Sequence, residues 1–109
     1  MANLDVFQVI ADPSRRQILF LLSTERLSVN AIAANFEMSR PAISKHLKIL
    51  QEAGFITMQD QGRERYCLLH DIGFNQLQEW MAYYDQFWRN KLQNLECLID
   101  EREIEKRRK

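Results

Sequence analysis

Residues 39–50, Ser39-Arg40-Pro41-Ala42-Ile43-Ser44-Lys45-His46-Leu47-Lys48-Ile49-Leu50, decide how this 109-residue chain is read. At 100° per residue, Ile43, Leu47 and Leu50 fall on one stripe, while Lys45 and Lys48 point away from it with Ser44 on the flank. The spacing predicts a short helix, apolar on one side and basic on the other. Ser39 is placed to cap it, Pro41 is tolerated in its first turn, and Met38 and Ile43 have the spacing of a hydrophobic staple. A helix start carries free N–H groups and the positive end of the dipole, and Arg40 adds charge there. Two exposed lysines are common on ordinary surface helices, so the neighbouring segments decide whether this face has a partner.

Upstream, Leu27 to Phe36 reads as a second short helix capped by Ser28, leaving only Glu37 and Met38 between the two. Two apolar-striped helices joined by so tight a turn cross steeply, as in a helix-turn-helix, here about residues 28–53. Downstream, Gly54 supplies the positive φ that ends the helix, and Phe55 to Met58 reads as a strand. Asp60-Gln61-Gly62-Arg63 is a polar turn and Tyr66 to Leu69 resumes a β-prone run, so residues 55–69 form a hairpin with Arg63 and Arg65 at its tip. A basic hairpin directly after a basic helix is the layout of a winged helix, in which the helix enters the major groove of DNA and the wing reaches the backbone or minor groove beside it.

Fifteen Lys and Arg balance fifteen Asp and Glu, and a net charge of zero runs against the basic surface that phosphate contacts favour. The charge is segregated, however. Residues 39–50 hold Arg40, Lys45, His46 and Lys48 and no acid, whereas Asp71, Glu79, Asp85, Glu96, Asp100, Glu101, Glu103 and Glu105 populate the C-terminal third. A length of 109 residues with 46% hydrophobic content is read as one domain with a modest core. No apolar run approaches the roughly 18 residues of a membrane span and the N-terminus does not resemble a signal peptide, so a cytoplasmic location is expected. Cys67 and Cys97, one in the wing and one in the last helix, read as small buried hydrophobes rather than a disulfide.

Leu4 to Ile10 reads as a first helix, and Asp12-Pro13 starts another, with Ile18, Leu19, Leu21 and Leu22 inward. Arg15 and Arg16 lie in its first turn, where cations oppose the dipole, and imply a partner outside that helix, either phosphate or a nearby acid. From Asp71 to about Glu105 the pattern stays helical for roughly 35 residues, about 50 Å at 1.5 Å per residue. Leu77, Met81, Tyr84, Trp88, Leu92, Leu95 and Ile99 recur in steps of three and four, broadened by Trp80, Tyr83, Phe87 and Leu98. So wide a stripe needs two surfaces to bury against. One is the domain itself and the other is most simply the same helix in a second copy, so a homodimer is expected, with Phe7 on the first helix counted among its contacts; the alternative is that the aromatics pack on the monomer's own core. The four final cations, Lys106 to Lys109, are read as a solvated tail.

The order helix, helix, helix-turn-helix, wing, long helix resembles the ArsR-type winged-helix repressors. The matching stretches are Ile10 to Leu19 (IADPSRRQIL), Met38 to Leu50 (MSRPAISKHLKIL) and Gly62 to Tyr66 (GRERY). The resemblance implies a mainly α fold with a small β-hairpin, and a dimeric regulator that binds a palindromic operator in double-stranded DNA and usually represses. It places Ser39, Arg40, Ser44, Lys45 and His46 in the major groove, Lys48 nearer the backbone, and Arg63 and Arg65 on the wing. The helical projection agrees for Ser44, Lys45 and Lys48. His46 falls on the border of the buried stripe, where a packed, hydrogen-bonded ring is the alternative. Many members of the family release DNA on binding metal, through cysteines at the start of the helix-turn-helix or Asp and His pairs on the last helix. Residues 27–36 hold no Cys or His and residues 71–109 hold no His, so the chain resembles the branch without metal sensing, with no cofactor and an unidentified inducer.

Two other readings compete. A thiol- or metal-responsive regulator would act through Cys67 and Cys97, and a protein-interaction winged helix would dock a partner on the aromatic helix, with little response to salt. An enzyme is not expected: there is no glycine-rich phosphate loop or nucleophile elbow, and His46 and His70 are the only histidines.

Overall fold

A computed structural model of the chain describes the backbone of residues 4–108 and the side chains of residues 4–99. The elements follow in the order α1 (Val6–Ala11), α2 (Pro13–Leu22), β1 (Leu27–Ser28), α3 (Val29–Ala33), α4 (Arg40–Glu52), β2 (Ile56–Gln61), β3 (Glu64–Leu69) and α5 (Asp71–Arg108). Mostly helix with one small antiparallel sheet, this is the winged-helix architecture expected.

Local signals set most boundaries. Asp5 caps α1 in a reciprocal box: the Gln8 N–H donates to Asp5 Oδ1 at 2.7 Å and the Asp5 N–H donates to Gln8 Oε1 at 2.9 Å. The helix therefore starts at Val6 rather than Leu4. Asp12 caps α2, accepting from the N–H groups of Ser14 and Arg15 at 2.8 and 3.2 Å, with Pro13 behind it. Ser39 caps α4 as expected, accepting from the Ala42 N–H. At the other end of α4 the Phe55 N–H donates to the Leu50 carbonyl at 2.9 Å and the Gly54 N–H to Gln51 at 3.1 Å. This is a Schellman closure, and Gly54 takes the φ of +83° that it requires. The closure drops Phe55 into the core, fully buried, so the strand begins one residue later than its apolar run.

Three expectations need correction. The segment from Leu27 to Phe36 is not one helix: Leu27 and Ser28 are extended and pair with Cys67 and Tyr66, adding a third strand in the order β1-β3-β2. Only then does Ser28 cap a five-residue α3, its Oγ accepting from the Ala31 N–H. The connection to α4 accordingly runs from Ala34 to Ser39 rather than over two residues, and Asn35 closes α3 by donating its amide to the Ala31 carbonyl. The hairpin turn is also tighter than the sequence implied. Gln61 pairs with Glu64, so Gly62 and Arg63 alone make the loop, and Gly62 at φ +65° with no positive φ at Arg63 is the pattern of a type II′ turn. Arg63 stands at the tip, while Arg65 lies one step down β3, opposite Asp60.

The core gathers Val9, Ile18, Ile32, Ile43, Leu47, Leu50, Phe55, Ile56 and Cys67, drawn from α1 to α4, β2, β3 and the α4–β2 turn, with Leu27 of β1 and Leu77 packed half-buried against it. The start of α5 is pinned to the α4–β2 turn: the Gly73 N–H donates to the Gly54 carbonyl at 2.9 Å, and a Cβ at Gly73 would lie 2.8 Å from the Phe55 ring. The chain divides into two units between Leu77 and Gln78, the second being helix alone. Its side chains from Trp80 to Ile99 are exposed, including Met81, Tyr84, Trp88, Leu92 and Leu95. No helix among the described residues is long and apolar enough to cross a membrane.

Candidate nucleic-acid interface

Helix α4 buries Ile43, Leu47 and Leu50 and exposes Ser39, Arg40, Ser44, Lys45 and Lys48, as its periodicity requires. The exposed residues do not share one surface. A groove of about 530 Å³ runs between α3, α4 and the wing, lined by Asn30, Arg40, Ser44, Lys48, Arg63 and Arg65, together with Val29, Leu47, Gln51, Met58 and Glu64. Four cations meet one acid along it, which is the local bias that a neutral chain needs to hold phosphate. Lys45 and His46 line a second depression, of about 730 Å³, on the α2 side of α4, with Leu4, Asp12, Arg15, Ala42, Ile49 and Glu52; Lys48 borders both. Ser39 lines neither.

Fixed partners orient several of these groups. Arg40 donates to the Asn30 side chain, which ties the start of α4 to α3. Arg65 Nε lies 3.1 Å from Asp60 Oδ1 across the two strands, both groups largely exposed. In such solvent the pair contributes little stability but limits where the guanidinium goes. Tyr66 donates its hydroxyl to Glu64 at 2.9 Å, and the Arg26 guanidinium sits 4.5 Å above the Tyr66 ring, stiffening the wing from its β1 side. His46 is half-buried, its Nδ1 3.3 Å from Arg15 Nη1, so the ring has a partner within the chain.

The two arginines at the start of α2 take backbone carbonyls as their main partners within the chain, ahead of any acid. Arg15 is 9% exposed and donates Nε to the Val9 carbonyl at 2.6 Å and Nη2 to Gln8 at 3.3 Å. Arg16 donates Nη1 to Ile10 and Ala11 at 2.7 and 3.0 Å. Together they satisfy the last carbonyls of α1, where cations are favoured. The Asp12 carboxylate is a weaker neighbour, 3.9 Å from Arg15 Nη1. Burial pushes the Asp12 carboxyl up, but the N–H bonds from Arg15 and Ser14, then the charge of Arg15, outweigh it and hold it below the usual carboxylate range.

The cysteines differ in setting. Cys67 is fully buried with its Sγ 3.3 Å from Met58 Sδ, and burial, partly offset by the charge of Arg65, pushes its thiol up to about 11. A thiol so protonated at neutral pH is a poor nucleophile and metal ligand. Cys97 is exposed on α5. Among the described residues no three His, Cys, Asp or Glu gather to hold a metal ion.

Of the residues named for pairing, Leu77 packs on the domain's own core, Phe7 is 40% exposed on α1, and Trp80, Met81, Tyr84, Trp88, Leu92 and Leu95 are exposed along α5. Trp80 and Tyr84 meet at 4.8 Å with their rings tilted by 54°, and Phe87 meets Trp88 at 6.0 Å, with Lys91 near both of the latter rings. Asn30, Gln51 and Glu64 escaped the sequence reading. No local pattern marks them, since only the folding of α3 and the wing onto α4 brings them to the groove.

Residues 12–58 match the sequence signature described as "Bacterial regulatory protein, arsR family". The chain is 38% identical over 80 residues to the transcriptional repressor SdpR of Bacillus subtilis, covering 73% of this chain and 89% of that protein. It is 34% identical over 94 residues to the HTH-type transcriptional regulator Rv2034 of Mycobacterium tuberculosis, covering 86% and 85%. In structure it is similar to a crystallised ArsR family transcriptional regulator, with a TM-score of 0.71 and 34% identity over 77% of this chain and 87% of the other.

Proposed function

The chain belongs to the arsR family of bacterial regulatory proteins, DNA-binding transcriptional regulators, and from that premise we propose that it is a homodimeric cytoplasmic repressor that grips a palindromic operator with two copies of α4 and the wing. The observation that carries the reading is the groove in which Arg40, Ser44 and Lys48 of α4 face Arg63 and Arg65 of the wing. A duplex backbone entering it meets cations from both sides, while the exposed face of α4 lies in the adjoining major groove. Ser39, Arg40, Ser44 and Lys45 are assigned to base edges and nearby phosphates, and Lys48, Arg63 and Arg65 to the backbone. The apolar face of α5 supports pairing with a second copy, because so many large hydrophobic groups stand exposed between Trp80 and Ile99. Residues 1–109 then act as one winged-helix module whose last helix joins two of them.

Gel-shift titration on a duplex recovered by in vitro selection tests the assignment. Arg40→Ala with Lys45→Ala weakens cognate binding at least tenfold at constant fold, by the ~1–3 kcal/mol of a base contact. Arg63→Ala weakens cognate and unrelated duplexes alike and lowers the salt slope by about one. Unchanged titration with the double variant contradicts the assignment of this surface.

A further inference from the structure

Arg15 spends its charge in an unusual place. In the first turn of α2 it opposes the helix dipole, yet it is 9% exposed and fully engaged. Its guanidinium donates Nε to Val9 and Nη2 to Gln8 at the end of α1, and Nη1 points at His46 in the middle of α4, 3.3 Å from Nδ1. A guanidinium has donors only, so Nδ1 of His46 accepts and the ring carries its proton on Nε2.

Apart from the Arg40–Asn30 bond, which ties the start of α4 to α3, the rest of the attachment of α4 is apolar. Ile43, Leu47 and Leu50 hold the helix to the core by contacts without direction, which tolerate a small rotation about its axis. The bond from Arg15 is directional. It acts on a residue between Lys45 and Lys48 and two positions after Ser44, so a rotation that breaks it re-aims all three.

We propose that Arg15 and His46 form a joint that sets the rotation of α4 against α1 and α2, and that both are positioning residues for sequence discrimination rather than groups that touch DNA. The inference rests on the DNA-reading role assigned to α4. Lysine cannot replace Arg15 in it, since a point charge lacks the planar fork that serves Val9, Gln8 and His46 at once.

The test is the ratio of affinities for the selected duplex and a scrambled one at fixed salt, with folding checked by circular dichroism. Arg15→Lys and His46→Leu each lower the ratio about tenfold while scrambled-duplex binding stays put, and the double variant loses no more than either single, the non-additivity of one shared contact. His46→Asn, whose carbonyl reaches the place of Nδ1, restores the ratio to within about threefold; His46→Gln, whose amide reaches the place of Nε2, does not. Additive losses, or a ratio kept by His46→Gln and lost by His46→Asn, overturn the joint and make His46 a direct base contact. If Arg15→Lys does not fold, the Asn and Gln variants decide alone. A wild-type protein that prefers no duplex removes the DNA-reading role itself, a result distinct from discrimination that survives loss of the joint.

Discussion

The two sides of the division at Leu77 use the same kinds of residue to opposite effect. Up to that point Phe55, Ile18, Ile32, Ile43 and Leu50 vanish into one core, and even an arginine is buried with its donors satisfied. Beyond it Trp80, Tyr84, Trp88, Leu92 and Leu95 are at least 42% exposed on a helix that ends only at Arg108. Burial in the first unit measures what holds a winged helix together. Exposure in the second measures what the chain has left to offer a partner.

Truncating a side chain separates the two. Phe55→Ala empties the site against which Phe74 packs edge-on at 5.0 Å, and it costs about 3–5 kcal/mol in denaturant unfolding. A loss under about 1 kcal/mol would mean that the core is not organised around this ring. Gly73→Ala acts on the same ring from the other side. Its new Cβ meets Phe55 at 2.8 Å, and with a buried aromatic unable to yield, the cost is about 1–3 kcal/mol by the same assay.

Asp12 gives a smaller effect with a sign in pH. Its carboxyl is held below the ordinary range in the folded chain, so its contribution is complete above that range and is lost as the pH falls through the folded value. Asp12→Ala removes the cap at a cost of about 1 kcal/mol at neutral pH. The gap between variant and wild type closes in acid, and a gap that widened there would reverse the sign argued here. Least costly to the fold of the first unit are Trp88→Ala and Leu92→Ala together. They halve the sedimenting mass at micromolar concentration and abolish the dependence of Tm on protein concentration that pairing imposes. A wild-type mass of one chain breaks the comparison from the other side.

What the sequence made legible follows the same division. Caps and closures are local chemistry, so Asp12, Ser28, Ser39 and Gly54 could be read from a few neighbouring residues, and the stripe of α4 emerged with its buried and exposed members in place. Strand β1 was not readable, because two residues become a strand only when β3 arrives beside them. The two-residue turn at Gly62 was hidden for a related reason: Gln59, Asp60 and Gln61 look like loop and are held extended by Tyr66, Arg65 and Glu64 across the ladder. The role of Arg15 lay deeper still. Its position in the first turn of α2 signalled a partner elsewhere, but that partner is the end of α1 and a ring of α4, which only tertiary structure brings together.

In vitro selection from a random duplex library is the most direct measurement of the claim that two reading helices act together. Pairing through α5 predicts enrichment of an inverted repeat whose half-sites are one helical turn, about 34–36 Å, apart from centre to centre or a multiple of it. Enrichment of a single asymmetric site, or of no sequence at all, would contradict it.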